Sequence, residues 1–340
     1  MLCSMRTTIT DRPASAATAR RVLAASALAL LAALATACAA QASQEPAPTA
    51  AGFLARTSPQ HLRVATWNVG ANTIFSTTGP AGSRAASFGR VMLAVDPDVL
   101  CINEIYPPYA GEDLGRLLDA ALPLGRDRRW LVFGQPDNYI ASRFPLSDTV
   151  YQSDLYPNSR QRGHAVARVL LPREIGSGKL DVVCTHMQSQ GGEANQAARL
   201  QHAGRLVSLL RERHDGESVP LVIMGDLNAY ADDGPRQLEI LRGATEPPLT
   251  DALPAHNGRG ELRWTWRDDP SGFAPGTLDH IFYSGGTLEA GRSFVLVADE
   301  LSPDELARAG LQAPDTSRVP THPDHQPVAI DLALRKANDR

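Results

Sequence analysis

Apolar residues recur along this chain in two rhythms. Leu62–Val69 is an apolar run that ends on a polar residue, and Val99–Ile105, Asp181–Thr185, Val219–Met224 and Thr277–Tyr283 repeat the form. Short apolar runs bounded by turn residues predict buried strands. Pro327–Leu334 alternates instead, which predicts a last strand. Phe88, Val91, Met92 and Val95 recur at helical spacing, and Asp96-Pro97 closes that helix. Ala197, Leu200, Ala203, Val207 and Leu210 mark one face of a second helix. Strands interleaved with helices predict an α/β protein with helices on the sheet faces. The pattern leaves the connectivity between strands open.

The N-terminus follows a different rule. Arg20 and Arg21 precede an Ala/Leu run from Val22 to about Ala37, followed by Ala40-Gln41-Ala42. A basic region, an apolar core and small residues at a cleavage point predict a secretory signal over residues 1–42. The apolar run is shorter than the ~20 residues of a membrane-spanning helix. Cys38 after Leu34-Ala35-Thr36-Ala37 resembles a lipoprotein processing site, and the paired arginines resemble a weak twin-arginine signal. Exported protein, secreted or lipid-anchored through Cys38, is the expected localisation. Residues 43–60 are rich in Ala, Pro, Ser and Gln and predict a flexible tether. One domain over residues 61–335 and a short tail, 336–340, complete the chain.

Charge and cysteine usage narrow this picture. The chain carries a net −4, and residues 1–42 hold four arginines against one aspartate, so the remainder is near −7. Such a protein lacks the broad basic footprint of a stable nucleic-acid-binding module. It can still turn over a polyanion if a metal neutralises charge at the site. Cys101 and Cys184 lie in apolar strand-like runs, which favours free core thiols over a disulfide.

Each predicted strand delivers a polar group to its edge. Asn68 closes the first and Glu104 the second; Thr185-His186 closes the third, and Gly225-Asp226-Leu227-Asn228 follows the fourth. Leu278-Asp279-His280 lies at the next, and Asp324-His325-Gln326-Pro327 precedes the last. Strand edges are where α/β folds assemble sites. Asp and Glu oxygens with an Asn carboxamide suit Mg2+ or Mn2+ rather than zinc. His186 and His325 can contact phosphate or move protons near neutral pH. Taken singly, each of these residues has an ordinary role as a turn, cap or rim residue; together they suit metal-assisted hydrolysis of a phosphate ester.

Thr66-Trp67-Asn68, Ile102-Asn103-Glu104, Thr185-His186, Gly225–Asn228, Leu278–His280 and Asp324–Val328 resemble, in order, the motif series of the endonuclease/exonuclease/phosphatase superfamily. Ser142–Leu146 and Trp264-Thr265-Trp266 resemble weaker landmarks of it. The resemblance implies a four-layer α/β sandwich, two packed mixed β-sheets flanked by helices. It implies Glu104 as main metal ligand, with Asn68 beside it and Asp324 near the metal. Asp226 would orient or deprotonate the attacking water, and Asn228 would hold a phosphate oxygen. His325, oriented by Asp279, would contact phosphate or act as acid/base, and His186 would protonate the leaving oxygen. A histidine at this place makes the chain similar to secreted deoxyribonucleases and bacterial sphingomyelinases. The carboxylate that should pair with it is not evident; Asp137 or Asn138 lies nearest in sequence order. Arg160 and Arg162, before Gly163, lie in a segment that often grips substrate in this family, and Asn138 is grouped with them as a substrate contact.

Three functions follow from this reading. The first is an exported Mg2+-dependent nuclease or phosphodiesterase. The second is a sphingomyelinase-like phospholipase, which Thr185–Gln188 with Arg199 and Gln201 resemble, or, within the same chemistry, a phosphomonoesterase. The third is an inactive binding scaffold, disfavoured because no motif residue is lost. The expected partner is nucleic acid, another phosphodiester or a lipid, met by a monomer without a stable protein partner.

Overall fold

In a computed structural model, residues 52–77, 84–155, 161–176, 178–214, 219–230, 236–268, 273–316 and 325–335 are described. The signal segment, Cys38, Arg160, Asp324 and the tail 336–340 lie outside them.

The strands form two six-stranded sheets. The first runs β11 (Leu288–Val295), β12 (Val328–Leu334), β1 (Leu62–Asn68), β2 (Val99–Ile105), β4 (Asp137–Ser142), β3 (Leu131–Gln135). Its β1/β2 pair is parallel and its other pairs are antiparallel. The second runs β5 (Leu146–Leu155), β6 (Gln161–Leu171), β7 (Gly178–His186), β8 (Leu221–Asp226), β10 (Asp279–Tyr283), β9 (Thr250–Asp251). There only β7/β8 is parallel. Five α-helices are among the described residues: α1 (Arg84–Val95), α2 (Gly111–Ala121), α3 (Glu193–Arg213), α4 (Arg236–Arg242) and α5 (Pro303–Ala309).

Side-chain parity sorts these elements into four layers. Successive strand residues face opposite sides of a sheet. In β1, Leu62 and Val64 enter the core between the sheets, whereas Ala65 and Trp67 face the helical layer. In β2, Val99 and Cys101 face inward, and Leu100 and Ile102 pack with Phe88, Val91 and Leu114 of α1 and α2. The second sheet repeats the rule. Val222 and Met224 of β8 join the inner core, and Leu221 and Ile223 pack under Ala203, Leu206, Val207 and Leu210 of α3. Because both faces are covered, the inner strands are apolar at nearly every position, which is why they read as runs. The expected α/β sandwich of two mixed sheets between helices is therefore the observed fold.

Two expectations are corrected. Cys101 and Cys184 form a disulfide that joins β2 of one sheet to β7 of the other, with Cα atoms 5.1 Å apart. Both residues occupy inward-facing positions of apposed strands, a juxtaposition invisible in sequence. Residues 52–60, expected to belong to the flexible tether 43–60, dock on the domain. Leu54 is buried, Phe53 meets Phe294 edge-on at 5.5 Å, and Arg56 pairs with Asp96 at 3.0 Å and with Asp98. An apolar and basic island, Phe53-Leu54-Ala55-Arg56, is diluted by the Ala/Pro-rich residues before it.

Candidate active site

The two parallel pairs, one in each sheet, bring the polar strand ends to one edge of the sandwich. Asn68 pairs with Asn103 across β1/β2, His186 with Asp226 across β7/β8, and Asp279 with Asp226 across β10/β8. Local backbone features then aim the side chains. Glu104 has φ +69° and sits where the β2/β4 register shifts between Asn103 and Ile105. A bulge of this kind re-aims a side chain, and such backbone strain concentrates at functional sites. Gly225 has φ +143°, and a Cβ there would collide with the Thr185 carbonyl, so glycine is needed directly before Asp226. Asn228 takes φ +47°, a conformation asparagine tolerates.

Asp226 is the meeting point. Asn68 Nδ2 donates to its Oδ2 at 3.0 Å and to Glu104 Oε1 at 3.2 Å. His186 Nε2 lies 3.3 Å and His325 Nε2 3.7 Å from the same Oδ2. Its other oxygen accepts the Asn228 N–H at 2.9 Å. Burial alone would raise the Asp226 carboxyl, but His325, His186 and these hydrogen bonds outweigh it and hold the group below the usual carboxylate range. Asp226 is thus an anion facing two imidazoles.

Each imidazole is fixed from behind by a carboxylate. His325 Nδ1 is 2.7 Å from Asp279 Oδ2, which also accepts the Thr265 hydroxyl at 2.7 Å. Burial pushes the Asp279 carboxyl up, opposed in part by His325. His186 Nδ1 is 2.8 Å from Asp137 Oδ1. Asp137 is therefore the carboxylate that sequence order left open between two residues. Tyr106 donates its hydroxyl to Asp137 at 2.9 Å, and Arg162 Nη1 lies 3.8 Å away. Burial would raise Asp137, yet His186 and Arg162 hold it low.

The structure thus brings together Asn68, Glu104, His186, Asp226, Asn228, Asp279 and His325. Two expected substrate contacts are enclosed next to the site. Asn138 is fully buried, accepting from Asn103 Nδ2 at 2.7 Å and donating to the Gly163 carbonyl at 3.0 Å, so it bridges the sheets. Arg162 lies within β6 and is 2 % exposed, enclosed beside Asp137. Arg199 is also structural: its Nη1 donates to the carbonyls of Gln188 and Gln190, while Gln201 stays exposed on α3. His280 hydrogen-bonds Asp251 and the Thr277 carbonyl, away from the site. Thr265, Tyr106 and Tyr230, whose hydroxyl donates to Asn228 Oδ1 at 2.9 Å, are functional neighbours that sequence reasoning missed. Thr265 alone had a signal, lying inside the Trp264-Thr265-Trp266 landmark.

Two groupings could hold a cation. Asp226, Asp279 and His325 place ligand atoms within 4.8 Å of one another. There Asp279 Oδ2 is engaged by His325 Nδ1 and Thr265, while its Oδ1 is buried without a hydrogen-bond partner among the described residues. Beside it, Asn68 donates Nδ2 to Glu104 Oε1 and Asp226 Oδ2, and its own Oδ1 accepts the Gly70 N–H at 3.0 Å; the oxygens of Glu104, Asp226 and Asn68 are the hard donors here, a set without sulfur.

The sequence profile of the endonuclease/exonuclease/phosphatase family matches residues 65–302. The chain belongs to that family. The family's fold is also that of the human Nocturnin catalytic domain with bound sulfate anion, which is 17% identical, with a TM-score of 0.54 over 81% of this chain and 95% of that one. A mannosyl-6-phosphatase of Bacteroides thetaiotaomicron is 17% identical, with a TM-score of 0.55 over 80% and 99%. A truncated TDP2 of Caenorhabditis elegans is 17% identical, with a TM-score of 0.53 over 80% and 97%. Identities this low establish a shared fold alone. No curated protein matches the chain. As a member of the endonuclease/exonuclease/phosphatase family, this chain is a phosphate-ester hydrolase with an acidic site suited to a divalent metal.

Proposed function

We propose that this protein is an exported, Mg2+-dependent phosphodiesterase, with nucleic acid as its first substrate class. The observation that carries the reading is the convergence of two carboxylate–imidazole dyads, Asp137–His186 and Asp279–His325, on Asp226 Oδ2. Glu104 and Asn68 would hold the cation, and its charge would neutralise nonbridging oxygens. Ionised Asp226 orients the attacking water. Asn228 steadies a phosphate oxygen. His325 contacts the phosphoryl group, and His186 gives its proton to the leaving oxygen while Asp137 balances the charge. An alkoxide leaving group needs that proton, which supports a nucleotide or sugar ester over an already acidic leaving group. The Cys101–Cys184 disulfide supports export, since such bonds persist outside the reducing cytoplasm.

The test is turnover with Mg2+ of supercoiled plasmid, single-stranded DNA, RNA, sphingomyelin vesicles and bis(p-nitrophenyl) phosphate. Glu104→Ala and His325→Ala are each expected to lower kcat by about 10²-fold or more. Cleavage of sphingomyelin without any nucleic acid would replace the nuclease by a lipase. Turnover that survives both substitutions would overturn the site assignment.

A further inference from the structure

The catalytic groups come from two different sheets. Asn68, Glu104 and Asp137 stand on β1, β2 and β4 of one, and His186, Asp226 and Asp279 on β7, β8 and β10 of the other. The Asp137–His186 and Asn68–Asp226 hydrogen bonds both cross the gap between them. Something must fix how far apart the two half-sites lie.

Beside the Cys101–Cys184 disulfide, which ties β2 to β7, one fully buried polar side chain bridges that gap. Asn103 precedes Glu104 on β2 and is 0 % exposed. Its Oδ1 accepts the Asp226 backbone N–H at 3.1 Å. Its Nδ2 donates to the Thr185 carbonyl at 3.2 Å, in the peptide that leads into His186. The same Nδ2 donates to Asn138 Oδ1 at 2.7 Å, and Asn138 follows Asp137. Asn138 in turn donates to the Gly163 carbonyl at 3.0 Å, next to Arg162. A single carboxamide therefore touches the backbone of Asp226, the peptide before His186 and the neighbour of Asp137. Only a group with one acceptor and two donors satisfies all three.

We propose that Asn103 is a positioning residue that sets the spacing of the two half-sites, holding Asp226 and the Asp137–His186 dyad in register with Glu104. This rests on the phosphodiesterase reading above. Asn103 touches no substrate; it acts through the groups it holds. Displacing reacting groups by about 1 Å can cost about 10²-fold in rate, and two-sheet misregister is a displacement of that kind.

Asn103→Leu keeps the branching of the side chain, with bulkier methyl groups in place of the amide, and deletes all three hydrogen bonds. With bis(p-nitrophenyl) phosphate and Mg2+, kcat is expected to fall about 10²-fold while KM stays within about threefold. Leu206→Ala, in the outer core under α3, serves as a matched destabilised control that keeps its kcat below its melting point. If Asn103→Leu does not fold, Asn138→Leu removes the Asp137 arm of the bridge and is expected to lower kcat on plasmid DNA, whose leaving oxygen needs the His186 proton, by about tenfold or more. A second readout does not need turnover: the Nδ1 proton of His186, assigned with His186→Gln, gives a side-chain nuclear magnetic resonance signal. That signal should be lost or shifted in the Asn103 variant and unchanged in Leu206→Ala. Inactive wild type would sink the functional reading and leave this signal to decide the positioning role. A folded Asn103 variant with wild-type kcat, or with an undisturbed His186 signal, overturns the proposal.

Discussion

Asp137→Asn separates the two dyads chemically. Asparagine matches aspartate in shape and tolerates the φ of +89° found at this position, so the backbone should stay in place. What is lost is one negative charge between His186 at 2.8 Å and Arg162 at 3.8 Å. Removing one partner of a buried ion pair typically costs 3–5 kcal/mol. At this separation the cost here should be about 3 kcal/mol, the lower end of that range. The catalytic loss has a separate origin. Without Asp137 the imidazolium of His186 is no longer balanced and its proton is delivered less well. General acid catalysis is worth about 10²–10⁴-fold, or about 3–5 kcal/mol of barrier. That factor applies only where the leaving oxygen needs a proton. On plasmid DNA, whose leaving group is a sugar alkoxide, kcat should fall by about 10²-fold or more. On bis(p-nitrophenyl) phosphate, whose leaving phenolate is already stable, the loss should stay under about tenfold. Both assays are run below the variant's melting temperature. Equal losses on the two substrates would refute the assignment of Asp137–His186 to the leaving group.

Three further outcomes follow from the structure. His164 and His202 are buried with ring centroids 3.9 Å apart, and burial lowers both to about 3. Their folded values lie below the unfolded ~6.5, so the unfolded chain binds more protons and stability falls as pH drops from about 6.5 toward 3. The slope approaches about 1.4 kcal/mol per pH unit per histidine; urea midpoints against pH should show it, and His202→Phe should flatten the curve. The Cys101–Cys184 bond closes a separation of 83 residues, so Cys101→Ala with Cys184→Ala should cost up to about 4–5 kcal/mol in chemical denaturation, and an unchanged midpoint would deny the bond a role. Mass spectrometry of the protein recovered from an exporting host should find either Ser43 as first residue or a lipid-modified Cys38, and an intact Met1 would refute export.

The sequence was legible where burial imposes a period. β2 spans the predicted Val99–Ile105, and α1 ends at Val95, where Asp96-Pro97 closes it. Edge and surface elements were not legible. β3 is half exposed, and the edge strands β5 and β11 mix polar residues into both faces, so no clean alternation marks them; β6 is interior and buried, but Arg162, His164 and Arg168 interrupt its apolar run. On α3 the predicted face holds at Ala203, Val207 and Leu210, whereas Ala197 is exposed and Leu206 joins the core. Arg199 and His202 occupy buried positions on that face and hide its apolar period.

The site shows the same division, and for a physical reason. Residues that must stand at a strand end are marked by the strand itself, so Asn68, Glu104, His186 and Asp226 could be located one by one. Partnerships across the sandwich have no such mark, because nothing in a strand's own pattern says which strand of the other sheet it will face. Asp137 and His186 are 49 residues apart and Asn68 and Asp226 are 158 apart, yet each pair is one hydrogen bond. The free-thiol expectation failed by the same logic, since Cys101 and Cys184 meet only when the two inner faces close. The catalytic unit is therefore a property of the closed sandwich and not of either sheet. A change that loosens the contact between sheets, at Asn103 or at the disulfide, should disconnect His186 from Asp137 before it disturbs either strand.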